Sequence, residues 1–420
     1  MRQVFVLLHR YVGLVMTLFL VVAGFTGIFI AFYDALEAWI RPEVMLVDPV
    51  PNQPMLHPIA LAELVQKQYP HAMIRRIPLH PSPEKSVRFF LRPRPDASET
   101  LANNEVFVNP YTGALLGARK WGDITQGTIN LMPFIYRLHF SLALDKIGRY
   151  ALGIIALLWS IDCFVGAYLT FPQKQKKRAY AQPLSQRARG VTEWLGRWKK
   201  SWKIRWEGGF YKINFDLHRA GGLWVWAMLF VFAWSGVAFN LTEVYRPVMK
   251  KLFANQTMAD DLPALAQPLL TPTLNWQTAL TEGQKMMQQA SAQQHFTIHH
   301  EGDIAYSPDK GIYLYSVNSS LDISEKSANT RVMFDANTGQ RIALYLPTGA
   351  ASGNTITEWL FALHMATVWG LPMQIFVSVM GVVVVMLSIT GVYIWWKKRK
   401  SRIVMQRQRL AVPVLVHRQY

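Results

Sequence analysis

The sequence predicts an α-helical membrane bundle of four spans in two pseudo-symmetric halves, with two α+β domains outside the membrane. Three observations predict it: four apolar stretches, an internal repeat and one-sided basic charge. Of the 420 residues, 51% are hydrophobic and 17% charged, against about 25% charged in soluble domains. A span needs about 20 apolar residues, and the stretches that qualify are 11–33, 151–171, 220–242 and 373–396.

The internal repeat carries histidines with it. A Leu-His-Arg motif around His9 begins the first span, and the same motif around His218 begins the third, 209 residues later. A Leu-His pair at His139 recurs at His364, 225 residues later. Glycines repeat at the same offsets, namely Gly13 with Gly222 and Gly166 with Gly391. Histidines thus occupy corresponding places in the two halves.

Basic charge is concentrated in three segments. Residues 1–10, 172–219 and 397–420 hold 23 Lys and Arg against three acids, and so account for the whole net charge of +18. Four spans put these segments on one side, which the positive-inside rule makes the cytoplasm. We therefore expect a multi-pass protein of a bacterial inner membrane with both termini cytoplasmic. Membrane orientation and contact with the lipid bilayer explain this charge better than binding of nucleic acid.

The two long segments between spans are then periplasmic, and each has the pattern of a folded α+β domain. Each begins with a helical pattern, at 59–68 and at 276–289, and continues with alternating strand-like runs, at 87–91 and at 311–315. Each ends in a hairpin signal in which Asn or Gly can take a positive φ, at 108–113 and at 334–339. The domains therefore repeat together with the spans.

The four repeated histidines are candidate metal ligands, because a six-coordinate haem iron needs two facing imidazoles. Equivalent positions in a two-fold bundle lie at equal depth. We therefore expect His9 to face His218 (the first pair) and His139 to face His364 (the second pair). The single cysteine, Cys163, excludes Cys-x-x-Cys-His attachment, a cysteine-ligated iron–sulfur cluster and a thiolate zinc site. The sequence thus predicts haem b, about two per chain, held by axial ligands and packing.

Residues beside the first pair suit a haem as well. Gly13 and Gly222, about one turn beyond the histidines, leave space for a flat macrocycle against the backbone. Arg10 and Arg219 are candidate partners of haem propionates, since a guanidinium binds a carboxylate in a fork. Simple anchoring on the positive side is an equal alternative for both arginines. An interfacial histidine can also cap a helix or bind a lipid phosphate, but this alternative does not explain why the whole motif recurs.

The second pair belongs to a different kind of element. His139 and His364 lie in short apolar segments, 131–144 and 359–369, which we expect to form short helices near the periplasmic face. Each segment is followed by an expected break before the spanning helix, at 145–148 and at 370–372. One haem is therefore expected near each side of the membrane, which is the arrangement for moving electrons across it.

Asp162 is the one acid in the middle of a span, and intramembrane carboxylates favour a functional role. Movement of protons and a hydrogen bond near haem are both open to it, as is a structural bond to Ser160 or to an indole. Its counterpart in the repeat is Leu387, so Asp162 is not part of the symmetric arrangement.

The remaining motifs limit the choice of chemistry. His295, His299 and His300 form a small cluster that is either a metal site or a set of ordinary surface histidines. The chain has neither a dinucleotide fingerprint nor a Walker sequence. Electrons must therefore come from a separate donor, which is membrane quinol or a partner protein.

Taken together, the chain resembles the PepSY-associated transmembrane family. The resemblance covers both Leu-His-Arg motifs, both later Leu-His segments and both helix-plus-hairpin modules, and it implies PepSY-like periplasmic domains. Some members resemble iron-regulated ferric-siderophore reductases of the FoxB type, which implies two haems and reduction of ferric hydroxamates. Hydroxamate oxygens are hard donors that favour Fe(III), so one-electron reduction weakens the chelate.

We therefore expect a di-haem b membrane oxidoreductase that reduces a periplasmic ferric siderophore and releases Fe(II) for iron uptake. Electron transfer requires no general acid or nucleophile. One alternative is a transporter of siderophore or iron, although the spans have almost no polar lining. Another is a non-enzymatic PepSY protein that binds an envelope partner, which leaves the repeated histidines unexplained. The expected segments are spans and interfacial helices at 1–33, 131–171, 218–244 and 355–396, PepSY-like domains at 34–130 and 245–354, and basic cytoplasmic segments at 172–217 and 397–420.

Overall fold

The computed structural model describes residues 1–95, 100–173 and 185–411. The helices are α1 (Arg2–Ile30), α2 (Tyr33–Ile40), α3 (Pro42–Met45), α4 (Pro58–Gln68), α5 (Leu131–Ser141), α6 (Asp145–Thr170), α7 (Ser185–Lys199), α8 (Phe210–Trp224), α9 (Trp226–Asn240), α10 (Thr242–Leu252), α11 (Trp276–Gln294), α12 (Ser352–His364) and α13 (Gly370–Ala411). The strands are β1 (Ala72–Ile74), β2 (Arg76–Pro78), β3 (Val87–Pro93), β4 (Glu105–Val108), β5 (Leu115–Arg119), β6 (Ile298–Ser307), β7 (Ile312–Ser319), β8 (Thr330–Asp335) and β9 (Arg341–Tyr345).

The chain divides into two compact units, of which the first is helical. It consists of the described residues of Met1–Ile28, Lys146–Leu241 and Ser378–Tyr420. Among the described residues, three helices are long and apolar enough to cross a membrane: α1, α6 and residues 370–407 of α13. The pair α8 and α9 makes a fourth span only if its two pieces, bent by 71°, are counted together.

The predicted third span, 220–242, is therefore not one straight helix. The break lies at Val225, whose φ of −114° and ψ of 15° leave the α-helical region. Trp226 begins the next helix, and its indole N–H donates a hydrogen bond to the carbonyl of Cys163 at 2.9 Å. Two glycines, Gly221 and Gly222, weaken the helix just before the break. Sequence periodicity could not show a bend fixed by a contact with another helix.

Close contacts between glycines and backbone hold the helices of this unit together. A methyl group built on Gly24 of α1 would lie 3.0 Å from the carbonyl oxygen of Gly381 in α13, and one on Gly381 would lie 2.7 Å from that of Gly24. Gly153 of α6 approaches the backbone of Asn240 in α9 equally closely. Small residues let membrane helices come this near, which increases their van der Waals contact.

The second unit contains two antiparallel sheets. It comprises Phe29–Asp145 and Thr242–Val377. The four-stranded sheet has the order β1-β3-β4-β5 and the five-stranded sheet the order β2-β6-β7-β8-β9. The predicted strand at 87–91 lies within β3, and the one at 311–315 corresponds to β7, which begins at Ile312. The helices expected at 59–68 and 276–289 are present as α4 and α11.

The two segments of this unit are joined through β2. This strand comes from the first segment but pairs with β6 of the second, with Ile77 opposite Ile304. Leu61 of α4 and Met287 of α11, both fully buried, belong to one continuous core with these two residues. The segments 34–130 and 245–354, expected to form one domain each, thus share a sheet and a core.

The two predicted hairpin turns form with the same hydrogen bonds. The Asn109 side chain accepts from the backbone N–H of Tyr111 at 2.8 Å, and Gly113 follows with a φ of 73°. The Asp335 side chain accepts from the N–H groups of Asn337 and Thr338, and Gly339 also has a φ of 73°. The turns could be predicted from the sequence because these side chains hydrogen-bond to the backbone of their own turn and glycine tolerates a positive φ.

The short helices α5 and α12 are present, but the breaks after them lie earlier than expected. The break after α5 covers residues 142–144, where Leu142 and Ala143 have positive φ, and α6 already begins at Asp145. The break after α12 covers residues 365–369, and Pro372 lies in the first turn of α13. Proline is tolerated in the first turn of a helix because the N–H it lacks has no partner there.

Candidate redox site

The first pair of histidines comes together within the helical unit. His9 lies in the third turn of α1 and His218 in α8, before the bend. The centres of the two imidazole rings are 6.0 Å apart, and the ring planes meet at 58°. The helix α1 begins nine residues before the expected span, so His9 is held within a helix instead of preceding one. The expected pairing of His9 with His218 is thus present as a contact between rings.

The protonated nitrogen of His9 follows from its partner. Its Nδ1 lies 3.0 Å from Oδ1 and 2.9 Å from Oδ2 of Asp162 in α6. The side chain of Asp162 is only 8% exposed. A carboxylate only accepts hydrogen bonds, so Nδ1 carries the proton and donates it. The lone pair of His9 is then at Nε2, which is the atom left to bind a metal.

His218 has the same tautomer for a different reason. Its Nδ1 lies 3.0 Å from the carbonyl oxygen of Leu387 and 3.1 Å from the hydroxyl oxygen of Thr390, both in α13. A carbonyl oxygen only accepts, and the Thr390 hydroxyl donates its own proton to the carbonyl of Met386 at 2.8 Å. The Nδ1 of His218 must therefore be the donor, which leaves the lone pair at Nε2.

Two glycines make room for these imidazole rings. A methyl group built on Gly166 would lie 3.5 Å from Cε1 of His9, and one on Gly391 would lie 3.2 Å from Cε1 of His218. These glycines are 225 residues apart, as are Asp162 and Leu387. The histidine rings of the first pair thus rest against corresponding places on α6 and α13. A methyl group built on Gly13 would have no atom within 4 Å, whereas one on Gly222 would lie 3.9 Å from a methyl carbon of Leu387.

The second pair comes together within the other unit. His139 is in the last turn of α5 and His364 is the last residue of α12. Their ring centres are 6.1 Å apart and their planes meet at 84°. Burial, together with a smaller effect of the neighbouring His139, lowers the pKa of His364 to about 3. A neutral imidazole at His364 keeps a lone pair for a metal across the physiological pH range.

A cluster of aromatic rings includes two residues of α5, the helix that carries His139. Tyr136 and Phe140 flank it along the helix with ring centres 5.4 Å apart, and Trp121 lies 5.9 Å from the Tyr136 ring. Stacking and edge contacts of this kind form an apolar wall.

In both pairs, the separation of the imidazole rings would allow them to share one metal ion. Two imidazoles that bound one metal from opposite directions, each with a metal–nitrogen bond of about 2 Å, would have ring centres roughly 6 Å apart. The observed separations of 6.0 and 6.1 Å agree with this. In residues 1–95, 100–173 and 185–411, no three His, Cys, Asp or Glu side chains are grouped to hold a metal. The donor set therefore suits a macrocycle that supplies the other four ligands better than it suits zinc.

The two arginines expected to bind propionates have different surroundings. Arg219 donates from Nη2 to Asp216 at 2.8 Å and to the carbonyls of Lys200 and Lys203 at 3.1 and 3.4 Å. These acceptors hold Arg219 against its own segment and compete with a propionate. Arg10 follows His9 in α1 and is half-buried. Of the two, Arg10 remains the better candidate for a propionate.

The other histidine cluster has ordinary polar contacts. His299 hydrogen-bonds the side chain of Asn318 at 3.0 Å. His300 bonds to the carbonyl of Glu301 at 3.0 Å and stacks on His80, with ring centres 4.7 Å apart. His295 ends α11 in a left-handed conformation. These histidines are thus not brought to one point.

The second unit also has an open pocket that the sequence did not indicate. It has a volume of about 620 Å³ and is lined by Arg75, Arg76, Phe90, Arg92 and Pro93. Arg75 pairs with Asp309 at 3.1 Å, and Arg76 pairs with Asp303 at 3.2 Å. Carboxylates therefore offset two of the three positive charges, and the pocket is only weakly basic.

The chain matches a known protein family. The sequence model of the family described as the PepSY-associated TM region matches residues 6–398. The match includes both histidine pairs and Asp162. A search of curated proteins found no match. Together with the apolar helices, the family match makes the chain a membrane protein with a PepSY-like α+β region.

Proposed function

The chain belongs to the family of PepSY-associated transmembrane proteins, and from this membership and its two histidine pairs we propose that it is a di-haem b membrane reductase. The observation that carries the proposal is that both pairs have ring centres about 6 Å apart. In the first pair, hydrogen bonds leave Nε2 of both rings free to bind a metal. A haem, when bound, supplies reversible one-electron chemistry. His9, His218, His139 and His364 are its proposed ligands.

The chain's own residues set the orientation of those ligands. Asp162 and the carbonyl of Leu387 hold the Nδ1 protons of the first pair, so each ring keeps its tautomer and angle. Gly166 and Gly391 leave the space in which the rings lie. Histidine ligands supported in this way need little rearrangement when iron changes its oxidation state.

We place the protein in the bacterial inner membrane with both termini in the cytoplasm. The support is the basic charge of residues 1–10, 172–219 and 397–420. The second unit, which carries the second pair, then faces the periplasm. One pair lies in each unit, so the chain offers a redox centre to a donor and another to an acceptor. Membrane quinol or another electron donor would serve the first pair.

The proposed acceptor is a ferric siderophore of the hydroxamate type, as in ferric-siderophore reductases of the FoxB type. The reaction moves one electron to the chelated Fe(III) and gives Fe(II). Hard hydroxamate oxygens bind Fe(II) less tightly, so the iron leaves the chelate. This step makes and breaks no covalent bond of the organic chelator, which agrees with the expectation that no nucleophile is needed.

We expect the protein purified in detergent to contain b-type haem at about two per chain, as two pairs of ligands require. A pyridine haemochrome assay measures the type and the amount. A colourless preparation from haem-replete cells would contradict the proposal and favour a transporter or an envelope-binding protein. A c-type spectrum would contradict the argument from the single cysteine, which predicts haem without Cys-x-x-Cys-His attachment.

The reaction itself is tested without oxygen. The protein is reduced with dithionite, excess reductant is removed, and ferrioxamine is added with an Fe(II) indicator. We expect haem reoxidation together with an Fe(II) signal. The matched control is the His139→Ala/His364→Ala variant, which lacks the second pair and should give a rate at least tenfold lower. Protein that stays reduced with several ferric siderophores would overturn the reductase proposal.

Valine at position 391 is expected to remove haem from the first pair. The added Cβ would lie 3.2 Å from Cε1 of His218, and the two methyl groups beyond it would push the ring aside. We expect Gly391→Val to contain about half the haem of the wild type. Gly196→Val is the control, since a Cβ at Gly196 meets open space. Full haem content in Gly391→Val would show that the ring of His218 can move without losing the cofactor.

A further inference from the structure

The two histidines of the first pair have partners of different charge. His9 donates to the carboxylate of Asp162, whereas His218 donates to a carbonyl and a hydroxyl. The difference lies at corresponding places, since Asp162 and Leu387 are 225 residues apart in the repeat. The side chain of Leu387 is apolar, so its backbone carbonyl is the hydrogen-bond acceptor there. One ligand of the pair is thus supported by an anion and the other by neutral groups.

We infer that Asp162 is a positioning residue that strengthens His9 as a ligand and lowers the reduction potential of the haem held by the first pair. The inference rests on the haem binding proposed above. A hydrogen bond from Nδ1–H to a carboxylate gives the imidazole more negative charge, which Nε2 passes to the metal. Negative charge near iron stabilises Fe(III) relative to Fe(II), so the potential falls.

The surroundings of Asp162 make this effect large. Both carboxylate oxygens are within 3.0 Å of Nδ1, and the side chain is 8% exposed in the middle of α6. Hydrogen bonds to an ionised group are roughly twice as strong as those between neutral groups. A charge away from water is also screened less than one in solvent. Neither condition holds for the neutral partners of His218.

A purely structural role for Asp162 makes a different prediction. The contact joins α6 to α1, whereas Ser160, two residues before Asp162, donates to the carbonyl of Ala156 in its own helix. If Asp162 served only to anchor α1, its loss would lower the stability or the haem content. The potential of the haem that remained would not change. The potential is therefore the measurement that separates the two roles.

The test is a redox titration of the full-length protein at one fixed pH. Asp162→Asn keeps the size of the side chain and a hydrogen-bond acceptor but removes the charge. We expect it to favour the reduced form of the first haem at least tenfold, which is about 59 mV for one electron. Thr390→Val is the matched control, because it removes a neutral contact to His218. Its shift should be much smaller, and the haem of the second pair is an internal reference that should not move in either variant.

Two further measurements keep the test decisive. Asp162→Glu retains the charge and should keep the potential low even if Asp162→Asn binds haem poorly. Resonance Raman spectra should show a weaker iron–histidine bond in Asp162→Asn alone. Equal potentials in Asp162→Asn and wild type, with haem retained, would overturn the inference. Protein that keeps this shift but does not reduce ferric siderophores would overturn only the proposed substrate, and wild type without haem would overturn both.

Discussion

Replacing His9 or His218 by alanine is expected to remove one of the two haems, and replacing His139 or His364 is expected to remove the other. Each pair has its own ring contact, at 6.0 Å in the first pair and 6.1 Å in the second. Loss of either histidine of a pair would leave the bound iron with one protein ligand in place of two. Each single variant should therefore hold about one haem and show one redox wave in place of two.

Redox titration of the four variants, with haem content measured in parallel, checks this pattern. The two variants of one pair should lack the same wave. His299→Ala serves as the control, since His299 bonds to Asn318 and belongs to neither pair; it should keep both haems. If His9→Ala and His139→Ala lost the same wave, the assignment of ligands to pairs would be wrong. Four variants with full haem would show that the histidines are not axial ligands.

The pairing could be predicted from the sequence because a repeat encodes it. Leu-His-Arg around His9 and His218 recurs at one fixed offset, so equal places in the two copies could be matched without any coordinates. The same reasoning gave the turns at Gly113 and Gly339, since their side-chain bonds lie within a few residues. Features that depend on local sequence or on repetition can be derived in this way.

The partners of the ligands could not be predicted, because they come from distant parts of the chain. Asp162 was singled out as a buried acid, but nothing in its own helix indicates His9, which is 153 residues away. The acceptor for His218 is a backbone carbonyl at Leu387, and any residue type provides one. The pairing of the short strand β2 with β6 is equally long-range, since three residues carry little pattern.

The bend after α8 shows a third limit. The segment 220–242 has the hydropathy of a continuous span, and hydropathy alone does not show whether a helix is bent. The hydrogen bond from Trp226 to the carbonyl of Cys163 joins α9 to α6, so it depends on a residue 63 positions away. A sequence can therefore indicate that this segment is apolar enough for a membrane while leaving its shape to tertiary contacts.

A group of buried charges in the second unit was also not predicted from the sequence. Arg119, on β5, is fully buried and donates to Glu105 on β4 and to Glu37 on α2, each at 2.5 Å. It also donates to the carbonyl of Ile129 at 2.6 Å. Burial opposes the charge of Arg119, but the bond to Glu105 and the charge of Glu37 raise its pKa, so it stays charged. One arginine thus joins a helix, two strands and the segment that leads to α5.

Replacing Arg119 by methionine is expected to destabilise this unit by about 3–5 kcal/mol, because two carboxyl groups lose their buried partner. For a unit of this size, that lowers the unfolding temperature by roughly 10 °C. Haem binding at the second pair should weaken as well, because α5 carries His139. Thermal unfolding in detergent, followed by circular dichroism, measures the first effect, and the haem spectrum during heating measures the second.

The size of this effect should depend on pH in a defined direction. Burial raises the pKa of Glu105, while Arg119 opposes the rise. Without Arg119, the pKa of Glu105 rises further. Above the ordinary pKa of a glutamate, Glu105 then keeps its proton in the folded variant, whereas the unfolded chain releases it. A carboxyl group with a raised pKa in the folded state adds to the free energy of unfolding at low pH, and this contribution is lost as pH rises. The deficit of Arg119→Met relative to wild type should therefore shrink as pH falls from 7 to about 5.

Two control variants separate lost pairing from lost packing. Arg88 is half-exposed and also contacts Glu37 and Glu105, at 3.2 and 3.7 Å. Arg88→Met should cost less than half as much, because water screens its charge and Arg119 remains in place. The variant Arg119→Met/Glu37→Gln/Glu105→Gln removes all three charges, so it should regain most of the lost stability. If the triple variant were as unstable as Arg119→Met, packing of the arginine side chain, and not its charge, would be what holds α2 to the sheet.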